Sequence, residues 1–403
     1  MKWLRFACLN VMRNRRRSLV TIAIAALGTA AMLLAGGFAL ATYQALAQSS
    51  ARSSGHLVLA KPAQFTQDEA TPLQFGLDDA AAIKTRLLAD PQVRYVLPKI
   101  EFSGLISNGD KSTVMMATGV DPDGEFAVKG PFLKITEGVA LSGPGGQAEV
   151  MLGAGLARSM KAGVGSSLTL LASTTDGALN AMDVTVKGHF STGVTEIDKR
   201  LVYTDIATAQ KLLNTPRVTS LGVFLSSMEA TDGARQRVAA AEPALAVKTW
   251  LELASFYQSV KDLYDRIFGA LGLIIGVIVV FVVTNAMAMA IIERTREIGT
   301  LRAMGTTPGQ LLRALALEGM VLGGAGALLG AAIASAISLL LYLMPVQMPP
   351  PPGRSTGYPL TIALSPSMAL ATVAAVVLLA MLASAWVARR TVHQPVVVAL
   401  AHV

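Results

Sequence analysis

This chain of 403 residues has one cysteine, four histidines and only 5% aromatic residues. A single thiol, Cys8, excludes an intrachain disulfide, so any folded domain must be held by its apolar core. The residues before it, Arg5-Phe-Ala, do not form a lipobox, which leaves an inert thiol near a membrane face. His56, His189, His393 and His402 show no zinc-ligand spacing and read as solvated or core histidines. No GxSxG, HExxH or paired-carboxylate motif stands out, so an enzymatic reading has no anchor. The stretch Gly104-Leu-Ile-Ser-Asn-Gly109-Asp-Lys111 resembles a phosphate loop superficially, but Asp110 would repel phosphate. Asn108-Gly109 between β-like runs predicts a hairpin turn instead. Acidic residues are absent from the first 17 positions, and charge of either sign is absent from four long stretches.

Those four stretches are Leu19 to Ala47, Ile267 to Ile292, Gly319 to Met344 and Ser367 to Ala388. At about 1.5 Å per helical residue, each is long enough to cross a hydrocarbon core of roughly 30 Å. A mean hydropathy of +0.52 agrees with membrane spans. A charged fraction of 15% requires a large polar part as well. Ala45-Leu46-Ala47 resembles a signal-peptidase site, yet an h-region of about 7 to 15 residues is much shorter than this run. An uncleaved first span is therefore expected.

Charge placement predicts the orientation. Residues 1–17, the 293–313 loop and Arg389-Arg390 carry 12 of the 34 Lys and Arg residues, against two Glu. The loop 345–365 carries only Arg354. Basic residues gather on the inner side of membrane proteins, which places both termini and the 293–313 loop in the cytoplasm. The segment between the first two spans sums to about −2 and is expected outside. The pI of 9.6 then reflects topology and contact with membrane lipids, and nucleic-acid binding is not expected.

About 215 residues separate the first two spans, room for a sizeable domain. Strand patterns occur at His56 to Ala60, Val93 to Leu97, Thr113 to Val120, Ser167 to Leu171, Val184 to Lys187, Leu201 to Tyr203 and Leu221 to Leu225. Apolar residues at three and four spacing predict helices at Asp78 to Leu88, Gly153 to Met160 and Ala207 to Leu213. Trp250, Leu253, Tyr257, Val260, Tyr264 and Ile267 form a stripe that predicts one continuous helix, a stalk running into the second span. The fold class is thus an α-helical membrane protein with four transmembrane helices and a mixed α/β extracytoplasmic domain inserted between helices 1 and 2.

The 293–313 loop is the densest charged patch. Ile298, Leu301 and Met304 recur at threes, giving a short helix with one apolar edge and Arg302 on another; Gly305 stops it. Thr307-Pro308-Gly309-Gln310 then supplies an N-cap, a proline at the first helical position and a capping-box glutamine. Glu318 stands near the inner end of the third span, where a carboxylate must face water, protein or a basic partner. Gly319, Gly323, Gly326 and Gly330 make small-xxx-small steps that fit either packing within the chain or an interface with a second copy.

The order Glu293-Arg-Thr-Arg-Glu-Ile-Gly-Thr-Leu-Arg-Ala-Met-Gly305, with Glu318 after it, resembles the signature of the FtsX/MacB/LolC family of ABC transporter permeases. The run Glu149 to Leu170 resembles the strand, helix, glycine turn and strand of MacB-like periplasmic cores. Gln394-Pro395-Val396 echoes the family's ending, whereas residues 61–80 and Met348 to Gly353 match nothing in it. The resemblance implies that Glu293, Arg296, Glu297, Gly299, Arg302, Ala303, Met304 and Gly305 couple the permease to an ATPase, with Glu318 a structural residue at the membrane interface. It implies no cofactor on this chain, with ATP and Mg on a partner ATPase dimer, and a second permease, identical or related, in the bacterial inner membrane. A periplasmic adaptor or lipoprotein carrier is the external partner it suggests. The expected function is mechanotransmission for lipoprotein release or export of a periplasmic or amphiphilic substrate; the alternative is a transmembrane regulator of a cell-wall hydrolase. The expected organisation is a cytoplasmic segment 1–17, spans at 18–47, 256–292 with its stalk, 314–344 and 366–388, an outer domain at 48–255, a coupling loop at 293–313, an outer loop at 345–365 and a cytoplasmic tail at 389–403.

Overall fold

The computed structural model describes residues 7, 9, 11–13, 15–130, 133–143, 147–293, 295–350 and 357–392. Cys8, Arg294, Arg354, His393, His402 and the run Gln394 to Leu400 lie outside the described residues. The chain divides into two units, one formed by residues 1–44, 259–347 and 359–403, the other by 45–258 and 348–358.

The first unit holds the apolar helices. They are α1 (Arg15–Ser54), then, after a segment that belongs to the second unit, α9 (Ser255–Glu293), the short α10 (Thr295–Ala303), α11 (Pro308–Leu343) and α12 (Pro366–Val392). Four of them contain stretches long and apolar enough to cross a membrane: Ser18–Ser54, Tyr257–Glu293, Pro308–Leu343 and Pro366–Arg389. The first two of these are 37 residues each, so at 1.5 Å per residue they exceed the roughly 30 Å hydrocarbon thickness by several turns. Tyr43 on α1 reaches α9, where its hydroxyl donates to Asp265 at 2.8 Å; Lys261 meets the same carboxylate at 2.9 Å.

Four glycines of α11, Gly319, Gly323, Gly326 and Gly330, are consumed by packing within the chain. A Cβ at Gly319 would strike Ser384 and the Ala380 carbonyl, and one at Gly323 would strike Ala380, both on α12. A Cβ at Gly326 would meet Ala25 and the Ile22 carbonyl, and one at Gly330 would meet Ala26 and Thr29, all on α1. Of the two uses that the glycine spacing left open, intramolecular close approach is the one realised, because successive glycines serve α12 and then α1. Close packing leaves no room for added atoms, and overfilling costs about 1 to 3 kcal/mol. Gly330→Ala and Gly319→Ala are therefore expected to lower the thermal midpoint and the monodisperse yield. Gly269→Ala, where a Cβ meets nothing within 4 Å, should leave both unchanged or raised. Equal behaviour of the three variants would contradict this packing.

The second unit is an α/β domain. After α1 come β1 (Leu57–Ala60), α2 (Ala80–Leu87), the long β2 (Val93–Ser107), β3 (Ser112–Val120) and α3 (Pro122–Lys129). The middle of the domain is β4 (Lys134–Gly138), β5 (Glu149–Gly153), α4 (Ala154–Met160), β6 (Ser167–Ser173), β7 (Leu179–Ser191) and α5 (Thr195–Asp198). It closes with β8 (Leu201–Asp205), α6 (Ile206–Leu213), β9 (Ser220–Leu225), α7 (Thr231–Ala241), β10 (Ala246–Thr249) and α8 (Trp250–Leu253). Ten strands form one mixed sheet in the order β10-β1-β9-β2-β3-β8-β5-β7-β4, with β6 pairing β2 and β7. The pairs β3–β8 and β5–β7 are parallel; the other ladders are antiparallel. Leu57, Ile100, Ile106, Met115, Val150, Leu152, Leu156, Leu212 and Val223 are essentially inaccessible and form its main core, the role that the lack of disulfides assigns to apolar packing.

The helix patterns at 78–88, 153–160 and 207–213 correspond to α2, α4 and α6. The Asn108-Gly109 turn closes the β2–β3 hairpin, with Ser107 opposite Ser112 and Gly109 at φ +90°. Asn108 accepts from the amides of Asp110 and Lys111, which fixes the turn locally.

The stalk differs from the expected single helix. Residues 250–253 form a separate turn of helix, and Ala254 leaves helical geometry at φ −90°, ψ 62° before α9 begins at Ser255. The cause is local and tertiary together. Thr249 and Glu252 cap α8 with a capping box, while the Trp250 amide donates to the His56 carbonyl at 3.0 Å. Trp250 is thereby tied to the sheet, and its ring meets Tyr257 edge-on at 5.2 Å across the break.

Candidate functional site

The short helix α10 is locked at its far end. Gly305, at φ +96°, donates to the Arg302 carbonyl, and the Thr306 amide donates to the Leu301 carbonyl. This pair of bonds is a Schellman ending, in which a left-handed residue closes the last turn; glycine adopts that conformation without a Cβ clash. One residue later Thr307 and Gln310 form the capping box that opens α11, with Pro308 at the first helical position. Helix, reversal and next helix thus occur as the sequence spacing predicts.

One face of α10 is buried. Thr295, Ile298 and Gly299 are inaccessible, and Ile298 joins an apolar cluster with Met287, Ile291, Leu311 and Leu315. The Thr295 hydroxyl donates to the Ile291 and Ile292 carbonyls at 3.0 and 2.9 Å, satisfying carbonyls at the end of α9. The outward face shows Arg296, Glu297 and Thr300, with Glu293 exposed just before the helix, Arg302 half-buried and Ala303 exposed at its end.

Met304 departs from the expected apolar edge. It lies beyond the last helical residue and is 70% exposed, because the chain reverses at Gly305 before its side chain can fold under the helix. An apolar knob therefore stands beside the charged face. Glu297 also has a partner that local spacing cannot reveal: Arg13 donates to its carboxylate at 2.6 Å from 284 positions away. Both side chains remain 57% exposed, so the pair contributes only about 0 to 1 kcal/mol. Glu318, in contrast, is 5% exposed on α11, immediately before the Gly319 contact with α12.

His56 and His189 each have one ring nitrogen in a local polar contact. The Leu225 amide donates to His56 Nδ1 at 3.2 Å, and burial, then Arg52, holds its pKa below the ordinary imidazole value. His189 lies at 3.0 Å from Glu137. On the β8 side, Tyr203 stacks on Phe190 at 4.7 Å; burial, followed by the Glu125 charge, pushes its phenol up to about 12. Near that ring, Glu125 and Lys129 form a buried ion pair on α3.

Four potential spans, an α/β domain between the first two and a short charged helix between the second and third define a membrane permease with an inserted extracytoplasmic module. The family model for the MacB-like periplasmic core domain matches residues 18–241, and that for the FtsX-like permease C-terminal region matches residues 269–396. The chain belongs to this FtsX-like, MacB-like permease family, as the signature at 293–305 suggested. The lipoprotein-releasing system transmembrane protein LolC of Xylella fastidiosa (strain 9a5c) is 28% identical over 250 residues, 60% of this chain and 60% of that protein. The lipoprotein-releasing system transmembrane protein LolE of Haemophilus influenzae is 24% identical over 269 residues, 64% of each chain. The match therefore spans about three-fifths of the length of these relatives. Among solved structures, the periplasmic region of MacB from Actinobacillus actinomycetemcomitans aligns with a TM-score of 0.37 at 15% identity, covering 52% of this chain and 95% of that one.

Proposed function

We propose that this chain is the permease subunit of an ABC transporter that works by mechanotransmission. A separate cytoplasmic ATPase dimer binds α10, a second permease of the same or a related kind completes the assembly, and ATP-driven closure is passed through α1 and α9 to the outer domain. The chain itself supplies no catalysis. Lipoprotein release is the output favoured by its similarity to LolC and LolE. The observation that carries the reading is the construction of α10. It is held by a buried face, a Schellman ending and a capping box, so Arg296, Glu297 and Met304 are presented on a rigid element joined to two spans. An exposed apolar knob ringed by charge is the composition of an interface core with a polar rim. Glu318 serves as a buried positioning residue beneath this loop.

A photocrosslinking residue at Met304 is expected to capture an ATP-binding subunit in native membranes, whereas one at exposed Ser173 on β6 is not. Capture of no nucleotide-binding protein from Met304 would refute the assignment. The orientation is tested separately in a Cys8→Ser background. Ser173→Cys should react with an impermeant thiol reagent once the outer layer is permeabilised, and Met304→Cys only after the inner membrane is opened; the reverse pattern would overturn the topology.

A further inference from the structure

The outer domain contains a hollow of about 630 Å³ lined by β4, α4, α5 and the end of β7. That volume suits a small molecule rather than a single ion. Its wall includes His189, whose side chain is 9% exposed and whose Nε2 is buried with no hydrogen-bond partner. Buried polar atoms are seldom left unpaired, so this nitrogen needs an explanation. Its other nitrogen is accounted for. Glu137 can only accept, so Nδ1 carries the proton toward it at 3.0 Å, which leaves Nε2 as the open position on the ring.

The charges around the hollow choose the ligand. Lys134, Arg158 and Lys161 line it, all exposed, and among the described residues none of the three is paired with a carboxylate. Arg158 uses only Nε, on the Ala154 carbonyl at 3.1 Å, and keeps the ends of its guanidinium. The two acids in the lining are already engaged. Glu137 holds His189, and Asp198 accepts from the Ser191 hydroxyl, the Thr192 amide and the Thr192 hydroxyl at 2.6, 2.9 and 2.7 Å. Three available cations repel a metal ion and attract a multivalent anion. A carboxylate would satisfy them but can only accept at Nε2. A phosphate group carries both P–OH and anionic oxygens, so it can pair with Nε2 in either protonation state of the ring while its remaining oxygens meet Arg and Lys, whose charge-assisted bonds are the strong ones.

We propose that this hollow binds a phosphate-bearing molecule, with His189 Nε2 as a hydrogen-bond partner and Arg158, Lys161 and Lys134 as its counter-charges. The same chemistry belongs to a soluble phosphorylated compound and to a phospholipid headgroup. Detergent-purified full-length protein is titrated by calorimetry with inorganic pyrophosphate and, in parallel, with micelles doped with short-chain phosphatidic acid. Saturable binding of either probe is expected, and the arm that responds identifies the source. Arg158→Gln and Lys161→Gln, surface changes that spare the core, should each weaken it by about tenfold or more, while Lys211→Gln on α6 leaves it unchanged. His189→Gln should weaken it too, with an unaltered thermal midpoint marking the variant as folded. Binding of neither probe, or full affinity in the Arg158→Gln, Lys161→Gln double variant, overturns the site.

Discussion

A Glu297→Lys, Arg302→Glu double variant is expected to reach the membrane in normal amount, yet to copurify with little ATPase and to support no ATP-driven work. Both positions lie on α10, and Glu297 is on its outward face. Removing one partner of a charge pair that becomes desolvated on docking costs roughly 2 to 5 kcal/mol, a drop in affinity of about 30-fold to several thousandfold. The intramolecular Arg13–Glu297 pair cannot account for so large an effect, since both ends are 57% exposed. Arg13→Ala separates the two explanations: it breaks that pair but leaves Glu297 on display, and most of the bound ATPase should remain. The measurement is the ratio of ATPase to permease after gentle solubilisation, together with ATP hydrolysis stimulated by the permease. A normal ratio and normal stimulation in the double variant would remove α10 from the coupling pathway.

Proline at Leu263 is expected to separate hydrolysis from work rather than to prevent assembly. α9 begins at Ser255, after the break at Ala254, so residue 263 lies in its third turn, where a continuous hydrogen-bond ladder is needed for stiffness. Proline there deletes the bond to the Ser259 carbonyl and clashes with the preceding turn, about 3 kcal/mol or more. Leu263 is 55% exposed, so little core packing is lost with it. Leu263→Pro should retain insertion, ATPase binding and hydrolysis while losing biological output; Leu263→Ala should retain all four. Full output from Leu263→Pro would leave α9 a passive tether.

The break at Ala254 shows why the stalk was only partly legible. Trp250, Leu253 and Tyr257 keep helical spacing through it, and periodicity alone does not register an interruption that preserves the stripe. The signal lay in Thr249 and Glu252, a capping-box pair at the right spacing, but its effect depends on His56 drawing Trp250 to the sheet from 194 positions away. Missed elements have similar causes. β4 is wholly exposed and has no alternating pattern, and β2 continues through Pro98, which pairs opposite Leu221 although proline usually marks a strand end. α3 was within reach: Asp121-Pro122 with Asp123 and Glu125 is a helix start.

By itself the sequence determined the four apolar runs, the Asn108-Gly109 turn, the Schellman and capping-box joint around Gly305 and the family to which the chain belongs. Each rests on interactions within a few residues, or on a requirement of length and apolarity, and such terms are carried by neighbouring positions alone. Tertiary structure decided which helices the glycines of α11 approach, that Met304 stands outward, that Arg13 meets Glu297, and that β4, α4 and β7 enclose an unpartnered imidazole nitrogen. Those outcomes join residues tens to hundreds of positions apart. Their free energies come from packing and burial, which depend on what the whole fold places opposite a residue and leave no periodic trace along the chain.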